Sequence, residues 1–226
     1  MKNQDAILHV RGESRFVADE PLPANTAFAA VVPSPVAHGR LVSIETREAE
    51  ASAGVLAVLV SRAIPGQNQI GNIIQDEPLL AEGEVHFVGQ PWALVVAATE
   101  DAARRAARLV KAEIEPLPAI FDPREAYARG ELIVPPRTFA IGDVDQAWAE
   151  CAVVVSGRAD SGAQEHVYLE TQGALAMPVE GGGLRVLSAT QSPTAVQRMI
   201  SRVIEWPMHK VEVDVRRLGG GFGGKE

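Results

Sequence analysis

Apolar residues along the chain recur with two periods, and the switches between them outline a protein of mixed strand and helix. Short apolar runs at 27–32, 41–46, 55–60 and 91–98 have strand length and end at breakers such as Pro33-Ser34-Pro35 and Gly54. The pattern turns helical over 100–109, where Ala102, Ala103, Ala106, Leu109 and Val110 share a face opposite Arg104, Arg105 and Arg108. Thr99 reads as its N-cap, followed by Glu100 and Asp101 where a helix dipole favours acids. A strand is expected to return at 111–115. Residues 48–52 read as a short helical turn, and 61–84 as irregular chain broken by Gly66, Gly71, Pro78 and Gly83. The polar start, 1–5, leads into a strand-like segment and has no apolar core of a secretion signal.

The second half repeats the alternation after a proline-rich interval. Pro116-Leu117-Pro118 opens extended chain that runs through Pro135-Pro136 to about Phe139. The expected organisation is therefore an α/β domain over 7–120, a linker over 121–139 and a second domain over 140–226. Within the second, Asp143 should cap a helix to Ala149, and another helix is expected over 193–204. Strands are expected at 152–158, 166–177, 184–189 and 209–215.

Charge and cysteine content remove several function classes. The 226 residues carry a net charge of −8 with no basic block, which disfavours nucleic-acid binding. No apolar run reaches the roughly 18–20 residues of a membrane span. A single cysteine, Cys151, rules out an internal disulfide and an iron–sulfur cluster ligated by this chain alone, and fits a cytoplasmic setting.

The candidate chemistry sits at 216–226, Arg-Arg-Leu-Gly-Gly-Gly-Phe-Gly-Gly-Lys-Glu, directly after the alternating run 210–215. Glycines at this density allow close backbone approach and amide presentation at an entropic cost. Gly219, Gly221 and Gly224 fit the dinucleotide pattern, but within this chain there is no room for the helix expected to receive a pyrophosphate. Gly219, Gly224 and Lys225 fit a P-loop up to its last position, where Glu226 stands instead of the hydroxyl residue that holds magnesium. A disordered glycine tail is the bland alternative.

A third reading comes from resemblance. Residues 217–226 resemble the R-x-G-G-G-F-G-G-K-E signature of the xanthine dehydrogenase/oxidase family of molybdenum hydroxylases. Gly162-Ala163-Gln164-Glu165-His166-Val167-Tyr168-Leu169-Glu170-Thr171 is similar to that family's G-x-Q-[DE]-H-F-Y-L-E-T segment. Val88-Gly89-Gln90-Pro91 and 113–118 resemble motifs of its a/b hammerhead domain. The likeness spans nearly the whole chain in the family's order.

The resemblance implies an aldehyde oxidase/xanthine dehydrogenase-type hammerhead domain followed by the first part of a molybdenum cofactor-binding domain. It implies a molybdenum–molybdopterin cofactor, the cytosine dinucleotide form included, with [2Fe–2S] clusters and FAD on partner domains or subunits. Gln164 falls on the glutamine that donates to an oxygen ligand of molybdenum, without itself ligating the metal. Gly220, Gly221, Phe222 and Gly223 fall on the loop that wraps the cofactor, and Glu226 on the glutamate that orients substrate. His166, Tyr168 and Glu170 are expected as packing neighbours of Gln164, and His9, His38, His86 and His209 as scattered single histidines. The implied reaction is hydroxylation of a purine, another N-heterocycle or an aldehyde with water as oxygen source. The family's catalytic base would lie beyond this chain. A subunit or fragment, inert alone and completed by the remaining molybdopterin-binding chain, is thus expected; a non-catalytic assembly module is the alternative.

Overall fold

The computed structural model describes residues 5–226; the polar start at 1–4 lies outside the described residues. The chain divides into two compact units, one formed by Met1–Pro118 with His166–Glu226, the other by Ala119–Glu165.

The larger unit contains three three-stranded sheets. In the first, β5 (Pro91–Ala97) lies between β1 (Phe28–Pro33) and β3 (Val55–Val60), antiparallel to both. β5 is the central strand, and its Trp92, Ala93, Val95 and Ala97 are all buried, which accounts for its near-continuous apolar sequence. Helix α3 (Glu100–Ala107) packs against this sheet through Ala102, Ala103 and Ala106. Their small side chains let the helix lie close to the strands, while Arg104 returns to Glu100 at 2.7 Å on the wet face. Thr99 accepts the Ala102 amide at 3.2 Å, as the sequence anticipated. Thr99→Ala should therefore cost about 1 kcal/mol in a denaturation experiment; an unchanged midpoint would show that the cap contributes nothing.

The second sheet places β2 (Gly39–Glu45) between β4 (Glu84–Val85) and β6 (Lys111–Pro116). Leu41, Ile44, Ala112 and Ile114 turn toward Val32, Val60, Trp92 and Val95, so one apolar cluster joins the two sheets. Antiparallel pairing of Gly39 with Val85 brings His38 and His86 together, 48 positions apart in the chain. Their rings stack at 6.1 Å and both meet Glu84. The expectation of isolated histidines at 38 and 86 is thereby corrected: strand pairing, invisible in a single chain pass, juxtaposes them.

The third sheet runs β7 (Ala174–Val179), β8 (Gly183–Ser188), β9 (Val211–Asp214), with β7 antiparallel to β8 and β8 parallel to β9. Helix α6 (Pro193–Val203) provides the crossover that parallel pairing requires. Parallel strands emerge at the same edge, so the chain leaving β8 at 189–192 and the chain leaving β9 at 215–226 are delivered side by side.

The smaller unit holds α4 (Pro123–Arg129) and α5 (Val144–Glu150). Asp122 and Asp143 cap them by accepting the amides of Arg124 and Gln146, and Gly130 ends α4 in the left-handed conformation. The expected linker thus contains a helix: Pro123 stands at a first-turn position, where proline is tolerated, rather than as a breaker. No strand forms at 152–158, because Val153, Val154 and Val155 remain exposed with no strand beside them to satisfy their backbone. At the N-terminal end, Ala6–Val10 forms helix α1 where a strand-like segment was expected.

Candidate functional site

The glycine loop is held by polar partners from three chain segments. Glu170 Oε2 accepts the Gly219 amide at 2.7 Å, and the Glu170 amide donates to the Gly219 carbonyl at 3.2 Å. Lys225, whose side chain is fully buried, donates from Nζ to the Glu170 carbonyl at 2.6 Å and lies 3.5 Å from its carboxylate. The same ammonium sits 4.6 Å above the Tyr168 ring. Tyr168 donates from its hydroxyl to the Gly224 carbonyl at 3.1 Å, and Gln172 donates to the same oxygen at 3.1 Å.

The β8 exit supplies the other wall. Gln191 Oε1 accepts from the amides of Gly223 at 2.9 Å and Lys225 at 3.3 Å, while the Gln191 backbone N–H donates to the Lys225 carbonyl at 2.8 Å. Thr190 donates to that carbonyl from its hydroxyl at 2.9 Å. The N-terminal segment grips the base: Arg217 pairs with Asp5 at 2.8 Å, Arg216 with Glu20 at 2.9 Å, and the Val17 amide donates to Glu170 at 3.4 Å. This is a seated loop, not a disordered tail.

Its glycines serve two different needs. A Cβ on Gly221 would come within 2.5–2.7 Å of the Gln191 side chain, and one on Gly220 within 2.9 Å of Tyr168 Cβ. Gly219 and Gly224 abut Glu170 and Tyr168 in the same way, so these four let the loop lie against its own frame. Gly223, at φ +87°, faces open space. Phe222 adopts φ +50°, a strained conformation for an aromatic residue, and its exposed ring stacks on His166 at 6.4 Å. The amides of Gly219, Gly223, Gly224 and Lys225 are all bonded within the loop's frame. Those of Gly220, Gly221 and Phe222 make no hydrogen bond among the described residues. These three successive amides, with positive φ at Gly220 and Phe222 and with Gly221 itself buried, are backbone donors of the kind that anionic or oxo ligands take.

The structure brings Gly220, Gly221, Phe222, Gly223 and Glu226 onto one loop, with Glu226 exposed. Gln164 lies in the smaller unit, on exposed chain without regular structure. His166, Tyr168 and Glu170 were expected on a strand beside Gln164. Instead, Tyr168 and Glu170 buttress the glycine loop from non-strand chain, and only Ala174–Val179 of that region forms a strand. Sequence reasoning missed Gln191, Thr190 and the role of Lys225; the available signal was that both parallel strands open at one edge. A groove beside the loop base, lined by Val17, Leu22, Phe28, Leu175 and Leu218, includes Gly219 but none of residues 220–226.

The fit to a molybdopterin group rests on the free amides at 220–222 and the open approach at Gly223. Comparison with known proteins agrees. Residues 11–118 match the family model of the aldehyde oxidase and xanthine dehydrogenase a/b hammerhead domain, and residues 127–226 that of the molybdopterin cofactor-binding domain. Xanthine dehydrogenase 1 of Arabidopsis thaliana is 40% identical over 225 residues, covering 98% of this chain and 16% of that protein. Mouse (Mus musculus) xanthine dehydrogenase/oxidase is 37% identical over 227 residues, covering 100% of this chain and 17% of that protein. Among solved structures, the aldehyde oxidoreductase of Desulfovibrio gigas superposes with a TM-score of 0.87 at 28% identity, covering 98% of this chain and 27% of that one. Quinoline 2-oxidoreductase of Pseudomonas putida 86 gives 0.83 at 30%, covering 100% and 31%. The chain therefore spans a small part of the relatives it matches, and nothing in them favours a non-catalytic assembly module. No helix among the described residues is long and apolar enough to cross a membrane. With a hammerhead domain and a molybdopterin-binding segment matched in sequence order, the chain belongs to the xanthine dehydrogenase/oxidase family of molybdenum hydroxylases.

Proposed function

We propose that this chain forms the loop side of a molybdopterin site in an enzyme that hydroxylates a purine, another N-heterocycle or an aldehyde, with water as oxygen source. The observation carrying this reading is the row of amides at Gly220, Gly221 and Phe222, which make no hydrogen bond among the described residues while those of Gly219 and Gly223 on either side are bonded to the frame. When bound, the cofactor supplies a redox-active molybdenum centre that the protein's own side chains cannot provide. The loop's part is electrostatic: preorganised N–H groups stabilise negative charge without reorganising during the reaction. Gln164 would add a neutral amide donor toward an oxygen ligand of the metal. Glu226 would accept hydrogen bonds from ring N–H groups of the substrate and so set its orientation.

Phe222 supports the same reading. Glycine would occupy φ +50° at no steric cost, so an aromatic residue held there with its ring exposed indicates that the ring is wanted at the site.

Further polypeptide is expected to complete the site. In the smaller unit Phe121, Ile133, Phe139 and Ile141 are each at least 80% exposed, an apolar surface that soluble proteins normally cover. The remaining molybdopterin-binding region would cover it and bring the catalytic base. Partner domains or subunits would hold the [2Fe–2S] clusters and FAD. The cofactor's cytosine dinucleotide form is compatible with a loop that binds through backbone amides. A single exposed cysteine suits the cytoplasm.

Co-expressed with the rest of the enzyme under molybdate-replete conditions, the complex should carry molybdenum and pterin. Gln164→Ala should then lower turnover by about 10- to 100-fold, in the range seen for groups that tune a metal from outside its ligand shell. An assembled complex that holds neither molybdenum nor pterin would refute the reading.

A further inference from the structure

We infer that His38, Glu84 and His86 form a divalent transition-metal site of the zinc class on the hammerhead domain, separate from the glycine loop. The three ligand atoms, one from each residue, lie within 4.8 Å of one another. Strand pairing explains why. Beyond the β2–β4 pair Gly39–Val85, the next residues across the ladder are His38 and His86, and Glu84 lies two positions from His86 on the same face.

The polarity of His38 points to a cation. Its Nδ1 is 2.6 Å from the Pro118 carbonyl, which can only accept, so Nδ1 carries a hydrogen. Its Nε2 is 2.6 Å from Glu84 Oε1, another acceptor. Two lone pairs cannot face each other at that distance without a positive centre between them; at 2.6 Å that centre is a shared proton, whose place a metal ion takes when it binds. A ring whose far nitrogen is anchored on a backbone carbonyl is also the usual posture of a metal-ligating histidine, since that bond fixes tautomer and orientation. His86 Nδ1 closes the triangle at 3.9 Å from Glu84 Oε1. Arg40, the nearby cation on β2, does not fill the space, because its guanidinium bonds Glu115 at 2.7 Å.

The dimensions suit zinc. Bonds of about 2.0–2.2 Å at tetrahedral angles place neighbouring ligand atoms roughly 3.4 Å apart. The observed separations of 2.6 and 3.9 Å lie on either side of that value, so binding requires His38 and Glu84 to part and His86 to approach Glu84. Two imidazoles and a carboxylate favour zinc over magnesium or calcium. The half-exposed His86 leaves the fourth position to water. Occupancy would tie β4, a strand of two residues at the sheet edge, to the turn preceding β2.

The test uses the full chain, stripped with chelator and titrated with Zn²⁺ alone, with Co²⁺ as a spectroscopic stand-in. One Zn²⁺ per chain, a higher thermal midpoint and the visible absorption of low-symmetry Co²⁺ are expected. His86→Ala should weaken binding at least about 10-fold, because a ligand matters no less than the groups that orient it. Glu84→Gln, which preserves shape, should do the same, and His209→Ala should not. Absence of saturable binding would overturn the inference. So would equal affinity in wild type, His86→Ala and Glu84→Gln, which would assign the metal to other histidines. No cofactor or turnover enters these readouts, so the result is independent of the molybdopterin proposal.

Discussion

Lys225→Met is expected to release the glycine loop from its seat. In the native protein the ammonium is fully buried, donates to the Glu170 carbonyl and neutralises a carboxylate whose side chain is only 7% exposed. Methionine fills similar volume but leaves that carboxylate charged, buried and short of its counter-ion. Breaking a buried pair from one side costs about 3–5 kcal/mol, far more than an exposed pair would. Glu170 also bonds the Gly219 and Val17 amides, so the loop and the N-terminal segment should loosen together. Amide exchange is the direct measurement. The protected amides of Gly219, Gly223 and Lys225 should exchange at least about a hundredfold faster, at roughly 1.4 kcal/mol per factor of ten. The double substitution Glu170→Gln/Lys225→Met should recover part of the loss, because no uncompensated charge remains. Unchanged exchange in Lys225→Met would show that the pair does not anchor the loop.

Gly221→Val should empty the cofactor site in the assembled enzyme. The reason lies behind the loop rather than in front of it. A Cβ at 221 would meet Gln191 Oε1, Cδ and Cγ at 2.5–2.7 Å, and valine adds two further methyl groups. Gln191 is exposed and can swing aside, but only by giving up the bonds its Oε1 accepts from the amides of Gly223 and Lys225. Its displacement hands the exposed Gly223 amide to water but leaves the part-buried Lys225 amide unpaired, at about 1–3 kcal/mol. The amides of 220–222 then lose their fixed direction, and preorganised donors of this kind are typically worth about 10²–10³ in rate. Molybdenum and pterin per complex should fall, with activity reduced at least about a hundredfold. Gln191→Ala should reproduce a milder form of the defect, since it removes the acceptor without adding bulk. Gly223→Ala tests the opposite side: nothing lies within 4 Å of its Cβ, so only the strain of φ +87° is added. Normal cofactor content in Gly221→Val would disprove the coupling between Gln191 and the loop.

These two experiments separate what a one-dimensional reading can and cannot provide. The apolar periods located β5, α3, β8 and α6 to within a residue or two, because each buries its pattern locally against one sheet face. Thr99 and Asp143 were legible as caps for the same reason: a cap bonds within three residues of itself. The glycine run was legible because backbone freedom is written at the position itself, whereas the roles expected of Phe222 and Gln164 came from the resemblance of their segments to a family's motifs. Valines at 153–155 misled because β-branched residues form a strand only beside a partner, and none is there.

The sequence by itself thus determined the mixed fold, its main elements and the position of the glycine loop. Tertiary structure alone decided what holds that loop: Glu170, 49 positions before Gly219, and Gln191, 32 before Gly223. It also decided which glycines face the frame and which face space, and that His38 meets His86 across Glu84. Hydrogen bonds and close contacts act over a few ångströms, and only the parallel pairing of β8 with β9 and the antiparallel pairing of β2 with β4 bring such distant residues within that range.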